Sequence, residues 1–543
     1  MKAHGWFGIL AMAFSLPALA ASYNATAADN SLTPGQKMSD LHQLVAQVQS
    51  GYGPLRYKAD ERGIRLEELA NQYALKVLKT KTNGEYYYLL NQFIAEFHDS
   101  HFGGLVPTTH EASLPFSTDL VEGKVLVDEI NRENLPETTF PFAKGDEVVS
   151  VDGTPALELA EHLGSYYGSG DAATALRNGA EGVAWRAGTR VPVPAATEAV
   201  VKIRHGTTSV IDEVKLSWTR KGEPMDEFAQ LTTTPEPRDY DRLDLGADWA
   251  ASPPQVERNF RCAGTTRIAI PKDATTIMSE PFVAYYHPTA KGNVGYLRIP
   301  HYIPEREERD LRFAQYEYAV SVLEKNTVGL IIDQDHNCGG SVDWLERIVG
   351  LFIDRPVAPL QFRFLANKEE LLGFKKYVAK GNPHTIEHQG ALRIMKLLED
   401  AWKAGQFMTS MTDFHGGETL IPPHPIRYTR PIVMLIDEMS GSGGDAFPAQ
   451  LQGFGRARLL GTRTMGAGGH VEEQPELFYS RLSVRMTKSL FFRPDGVAVE
   501  NNGAVPDYPY AITREDFMYG YRAYHAYAIE KLHALIATTA PLL

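Results

Sequence analysis

Residues 431–468 read PIVMLIDEMSGSGGDAFPAQLQGFGRARLLGTRTMGAG, and the order of patterns inside them decides the fold class. Pro431 to Asp437 is an apolar run of strand length. It enters a turn, Ser440-Gly441-Ser442-Gly443-Gly444-Asp445, and a helix follows with Pro448 expected in its first turn. Arg458 to Gly461 then returns as a strand. Strand, helix and strand in close succession imply an α/β layer architecture.

The same alternation extends upstream. Val328 to Asp333 reads as a buried strand that ends in Asn337-Cys338-Gly339-Gly340, and Val342, Leu345, Val349 and Phe352 mark the next helix. Val294 to Ile299 is a further strand, and Leu311 to Leu323 is mostly helix. The core is therefore assigned to 291–543, with an insertion at about 355–430 that carries a helix near Ala391 to Ala404. A long final helix is expected from near Thr513 past Tyr524. Residues 222–290, rich in Pro, Thr and Asp, read as a linker with some strand.

Farther out, residues 113–221 form a β-rich module. Its strands are expected at Val125 to Ile130, Glu147 to Val151, Ala199 to Arg204 and Val214 to Trp218, with one clear helix over Ala156 to Tyr166. Residues 36–112 carry three amphipathic helices. The last is the strongest, with Tyr86, Leu89, Leu90, Phe93, Ile94 and Phe97 at helical spacing. It stops at Asp99-Ser100-His101-Phe102-Gly103-Gly104. Residues 1–20 have Lys2, an apolar stretch from Trp6 to Leu16 and an A-x-A ending, the pattern of a cleaved secretory signal. The competing reading, a membrane anchor, needs about 20 apolar residues. No later stretch is apolar enough to span a bilayer. The expected location is periplasmic or secreted.

The chain has 543 residues, 43% hydrophobic and 22% charged, ordinary for a protein that buries a core. Its net charge of -13 argues against nucleic acid as the main partner, because phosphate recognition needs a basic face. The two cysteines, Cys262 and Cys338, read equally as one bridge or as two thiols, and neither has metal-site spacing.

Two strand-to-helix junctions carry glycine pairs at the sheet end where α/β proteins bind ligands. Ser442 stands just ahead of a helix, where free N–H groups stabilise a developing anion. It reads either as a nucleophile or, with Asp445, as a helix cap. Gly339-Gly340 reads either as a second oxyanion donor or as a tight turn. A serine hydroxyl needs a base, and His101, on its glycine-flanked polar turn, is the candidate among 17 histidines.

Together these segments resemble the C-terminal-processing and tricorn-type serine peptidases. The tricorn branch has an S-G-S-x-G-D turn, then D-x-F-P, then G-T-R-T-x-G, found here at Ser440 to Asp445, Asp445 to Pro448 and Gly461 to Gly466. Val328 to Gly340 resembles the family's strand and N-x-G-G turn, with Cys338 where glycine is usual. Phe93 to Gly103 resembles the L-x-D-S-H segment, and Val499 to Asp507 the E-N-x-G-V-x-P-D segment. Ala143 to Gly153 is similar to the G-D-x-I-x-x-V-D-G segment of a PDZ domain.

The resemblance implies a crotonase-like core with an inserted PDZ-like domain. It implies Ser442 as nucleophile, His101 as base, and Ser100 and Glu500 completing a tetrad. Gly443 and either Gly339 or Gly340 would supply the oxyanion amides. The processing branch's lysine is absent, since Thr464 to Gly468 reads T-M-G-A-G, which favours the histidine-based tetrad. The implied activity is an exported endopeptidase acting on protein or peptide substrates, tail-specific in type, with the PDZ-like module capturing substrate and no metal or organic cofactor. The rivals are a non-catalytic ligand-binding protein and a crotonase-type acyl-CoA enzyme on the same core.

Overall fold

The computed structural model describes residues 32–206, 208–225, 266–381, 383, 386–414 and 419–538. The signal at 1–20, Cys262 and most of the 222–290 linker lie outside the described residues. The described end of that linker carries the strands Thr275–Met278 and Ala284–Thr289.

These two strands begin a seven-stranded sheet that continues through Gly292–Arg298, Gly329–Asp333, Ile432–Ile436, Ala457–Gly461 and Tyr508–Pro509. The last five run parallel, and the first two form an antiparallel edge. Gly329–Asp333 and Ile432–Ile436 are buried at every position, because parallel strands are covered on both faces. On one face Leu330, Ile332 and Met434 pack with Phe313, Val349 and Phe447 from three helices, Arg309–Asn326, Val342–Val349 and Gly443–Gly453. On the other, Ile331, Val433 and Leu435 pack with Tyr524, Ala528 and Leu532 of the helix Arg522–Thr538. The glycine turn after Asp333 and the serine turn after Ile436 therefore leave the same end of neighbouring strands.

In the core, local expectations fail in three places. Pro448 lies inside the helix rather than in its first turn. Its missing N–H would leave the Gly444 carbonyl without a helical donor, and Gln334 Nε2 reaches that oxygen at 3.4 Å. The final helix is two helices, Arg514–Met518 and Arg522–Thr538, broken where Gly520 and Tyr521 take φ +70° and +57°. The 355–430 segment holds a strand, Gln361–Phe364, and two helices, Lys368–Lys380 and Ile386–Lys403. The strand pairs antiparallel with Ser489–Phe492 near the chain's end.

The β-rich module has five main strands in the order Phe116–Val121, Lys124–Ile130, Glu147–Val151, Glu198–Arg204, Ile211–Ser217. It has two helices, Ala156–Gly164 and Ala172–Gly182, where one was expected. The second helix packs so tightly on the first that a Cβ on Gly179 would lie 1.8 Å from the Ala160 carbonyl oxygen. This helix also docks the module onto the core. Arg177 donates to both Asp119 oxygens at 2.8 and 3.0 Å, and to Asp437 and Glu438 at 3.2 and 2.9 Å.

The N-terminal helices are Pro34–Gly51, Leu55–Arg62, Leu66–Val77 and Asn83–Ala95. Their apolar faces, including Leu44, Val48, Tyr73, Leu90 and Phe93, share a core with Leu477, Leu482, Val484 and Met486 from the other end of the chain. The strand Gly103–Leu105 then pairs antiparallel with Ser483–Thr487, placing Gly103 opposite Arg485.

Candidate active site

Ser442 caps the helix Gly443–Gly453 at φ 59°, ψ -113°. A non-glycine residue held at an unfavourable backbone angle costs of order 1–3 kcal/mol, and such residues cluster at functional sites. Asp445 holds it there, with the Ser442 amide donating to Asp445 Oδ2 at 2.8 Å. The rest of that carboxylate is also filled. Thr464 Oγ1 and the Gly466 amide donate to Oδ1 at 2.5 and 2.8 Å, and the Ala467 amide donates to Oδ2 at 3.0 Å. Burial pushes the Asp445 carboxyl up to about 6, against the pull of these donors. Asp445 is thus a bracket that ties the serine turn to residues 464–467.

The other serines of the region face elsewhere. Ser440 Oγ lies 2.7 Å from the Gln334 carbonyl and 2.8 Å from Asp437 Oδ1, the two acceptors open to its single hydroxyl proton. Ser341 Oγ bonds Asp343 and accepts from Arg309 Nη2 at 3.0 Å.

The two glycine turns touch. A Cβ on Gly339 would lie 2.7 Å from Ser442 Cβ and 2.8 Å from the Gly443 nitrogen; one on Gly443 would lie 3.2 Å from the Gly340 nitrogen. Contacts this close exclude side chains, and Gly339 and Gly340 also have φ of +74° and +140°, where glycine is favoured. The Gly339 amide donates to Asn337 Oδ1 at 2.8 Å. Gly340 is held by its neighbours instead, through Tyr302 N to Gly339 O at 2.7 Å and Ser341 N to Tyr302 O at 2.9 Å. Cys338, directly before Gly339, is disulfide-bonded.

His101 is buried, on the turn between the last N-terminal helix and the strand that pairs with Ser483–Thr487. Asp99 shapes that turn. Its Oδ1 accepts the His101 amide at 2.8 Å, and its Oδ2 accepts Tyr52 and Thr487 hydroxyls at 2.8 and 2.7 Å. Burial lowers the His101 imidazole to about 4; Asp99 raises it, while Arg485 and His470 lower it further. The ring is therefore neutral at neutral pH, the form that accepts a proton. Ser100 Oγ accepts the Gly170 amide at 2.9 Å, joining the turn to the β-rich module.

Glu500 is wholly buried. Its Oε2 accepts the Gly468 amide at 2.9 Å, one residue beyond the amide that reaches Asp445, and its Oε1 pairs with Lys58 Nζ. Lys58 Nζ also donates to Asn501 Oδ1 at 2.6 Å and to the His98 carbonyl at 2.8 Å. Asn501 Nδ2 donates to the same His98 carbonyl at 2.7 Å. The structure thus joins Ser442, Gly443, Gly339 and Gly340 directly, and connects Glu500 to the His101 turn through Lys58 and Asn501. Sequence reading missed Asp99, Lys58 and Asn501. Asp99 and Asn501 stood inside quoted motifs; Lys58 sits in a helix, LRYKADER, with no apolar face to mark it.

Among the described residues one acidic and histidine cluster, Glu370, His470 and Glu472, brings its ligand atoms within 4.8 Å of one another. Lys488 Nζ lies 3.2 Å from Glu370 Oε1, so an ammonium already supplies the positive charge there.

Residues 293–510 match Peptidase family S41, and residues 110–228 match a PDZ domain. A protein of Chlamydia muridarum is 25% identical over 93% of both chains, and one of Chlamydia trachomatis is 26% identical over 91% of this chain and 92% of its own. The tricorn protease of Thermoplasma acidophilum is 24% identical over 46% of this chain and 17% of its own length. The crystal structure of mature CPAF has the same fold, with a TM-score of 0.76 at 22% identity, covering 94% of this chain and 99% of that one. Among the described residues no helix is long and apolar enough to cross a membrane.

Proposed function

For a chain that is a serine peptidase, belonging to family S41 over its catalytic region and carrying a PDZ domain, we propose that Ser442 attacks the carbonyl of a protein or peptide substrate and forms an acyl-enzyme. His101 takes the hydroxyl proton and returns it to the leaving amine. The Gly443 and Gly340 amides hold the oxyanion. Gly340 is preferred to Gly339 because the Gly339 N–H is already directed to Asn337. Glu500 and Ser100 complete the tetrad by holding the base turn rather than by touching substrate. The observation that carries this reading is the contact of the Gly340 and Gly443 turns beside Ser442. It brings the Gly340 and Gly443 backbone nitrogens close together beside a serine with strained backbone, which supports reading them as paired donors to an oxyanion.

The core is taken as crotonase-like, built from 36–112 and 291–543 around the PDZ-like domain at 113–221. Their shared apolar cluster supports treating the first and last parts as one unit. The PDZ-like domain is assigned to substrate capture by strand addition; its sheet ends on Ile211–Ser217, which is mostly exposed. The sequence pattern of residues 1–20 supports export.

A fluorophosphonate probe followed by peptide mapping tests the assignment. The adduct is expected on Ser442 and absent from Ser442→Ala. An adduct on Ser440, Ser341 or Ser100 overturns it.

A further inference from the structure

Lys58 is among the largest fully buried side chains of the protein, yet nothing in its own helix accounts for its burial. A buried ammonium is expensive unless it is paired and its donors are satisfied. Here each donor has a destination, and each destination belongs to the active-site scaffold: Glu500 Oε1, Asn501 Oδ1 and the His98 carbonyl. The first two lie in the segment that carries the tetrad's acid, and the third opens the turn that carries its base.

We infer that Lys58 is a positioning residue for catalysis, a charged clamp from the N-terminal helices that fixes Glu500 and the His98–His101 turn in one arrangement. The inference rests on the tetrad reading given above.

The charges around the clamp bear this out. Burial first and the Asp99 carboxylate second push the Glu500 carboxyl up to about 8, against the downward pull of Lys58 and the Gly468 amide. Tyr52 and Tyr57, both shifted upward by burial and by Glu500, face the cluster from the N-terminal helices, and His98, lowered by burial and by Lys58, faces it from the turn. Lys58 is thus the cation in direct contact with Glu500, beside a second carboxylate at Asp99. Without it burial and Asp99 act on Glu500 unopposed by a cation and hold its carboxyl neutral over a wider range of pH, and the base turn loses one of the two side chains that grip the His98 carbonyl.

The test is a double-mutant cycle on the full chain with Lys58→Met, Lys58→Arg, Glu500→Gln and Lys58→Met with Glu500→Gln. It measures kcat and KM on a peptide ester, and melting temperature against pH. Glu500→Gln is expected to lower kcat; if it does not, the tetrad reading fails irrespective of Lys58. Given that loss, Lys58→Met is expected to lower kcat about 10²-fold with little change in KM, the scale of a small misplacement of catalytic groups. Lys58→Arg should recover part of it.

The double variant should lose no more rate than the worse single variant, because both act on one arrangement. Its melting temperature should also depend on pH less than that of Lys58→Met. In Lys58→Met the folded state holds a proton on Glu500 that the unfolded state releases above about 4.5, so stability falls as pH rises. Near-normal kcat in Lys58→Met, or additive losses in the double variant, overturns the inference. So does a loss that follows the fall in folded fraction and vanishes when rates are normalised to folded protein.

Discussion

The two sides of the site are made from different materials. The Ser442 side is built of backbone: two glycine turns at the ends of neighbouring parallel strands, with a carboxylate, Asp445, behind them. The His101 side is built of buried side-chain charge, drawn from the start and the end of the chain and joined by Lys58, Asp99 and Glu500. Backbone amides do not titrate and cannot be removed by truncating a side chain; they fail only when the turn moves. The charged side should respond to pH and to single-atom substitutions.

The sharpest way to break this comparison is at Gly340. A Cβ there would lie 2.3 Å from Tyr302 backbone atoms, at a φ that disfavours any side chain. Gly340→Ala should displace one oxyanion amide and lower kcat by about 10²–10³-fold. A change under tenfold, with the protein folded by circular dichroism, would place the second donor elsewhere.

On the charged side the expected effect is a shift rather than a loss. With the imidazole lowered to about 4 by burial, the basic form dominates above that value. The kcat/KM profile should rise with pH through about 4 and have levelled by pH 6, instead of rising near the ordinary ~6.5. Stopped assays from pH 3.5 to 7 would show it. A midpoint near 6.5 would mean that the ring is solvated in the working enzyme.

The smallest effect belongs to Ser100. Its hydroxyl accepts the Gly170 amide, tying the base turn to the PDZ domain. Ser100→Ala should slow probe labelling about three- to tenfold, the rate equivalent of one ordinary hydrogen bond, and leave the adduct on Ser442. A hundredfold loss would give Ser100 a direct part in proton transfer.

The same contrast explains what sequence could show. The serine turn is local: strand, glycine-serine turn and helix lie within about forty residues, and each pattern announces the next. Even there Pro448 misled, because Gln334, far away in the chain, compensates for its missing N–H. The charged side is not local. Lys58 lies in a helix whose composition reads as solvated surface, and its bonds to His98, Glu500 and Asn501, all distant in sequence, are what mark it as interior. The helix Ala172–Gly182 escaped notice for a related reason. Its Gly179 weakens helix propensity, yet it is what lets the helix approach Ala160.

The bond between Lys58 and Glu500 spans 442 residues. In the order of synthesis, the base turn leaves the ribosome early, while its acid and the strand that pins it come almost last. On the proposed reading, a chain cut short before Glu500 would carry Ser442 and its glycine turns without the acid that fixes the base turn.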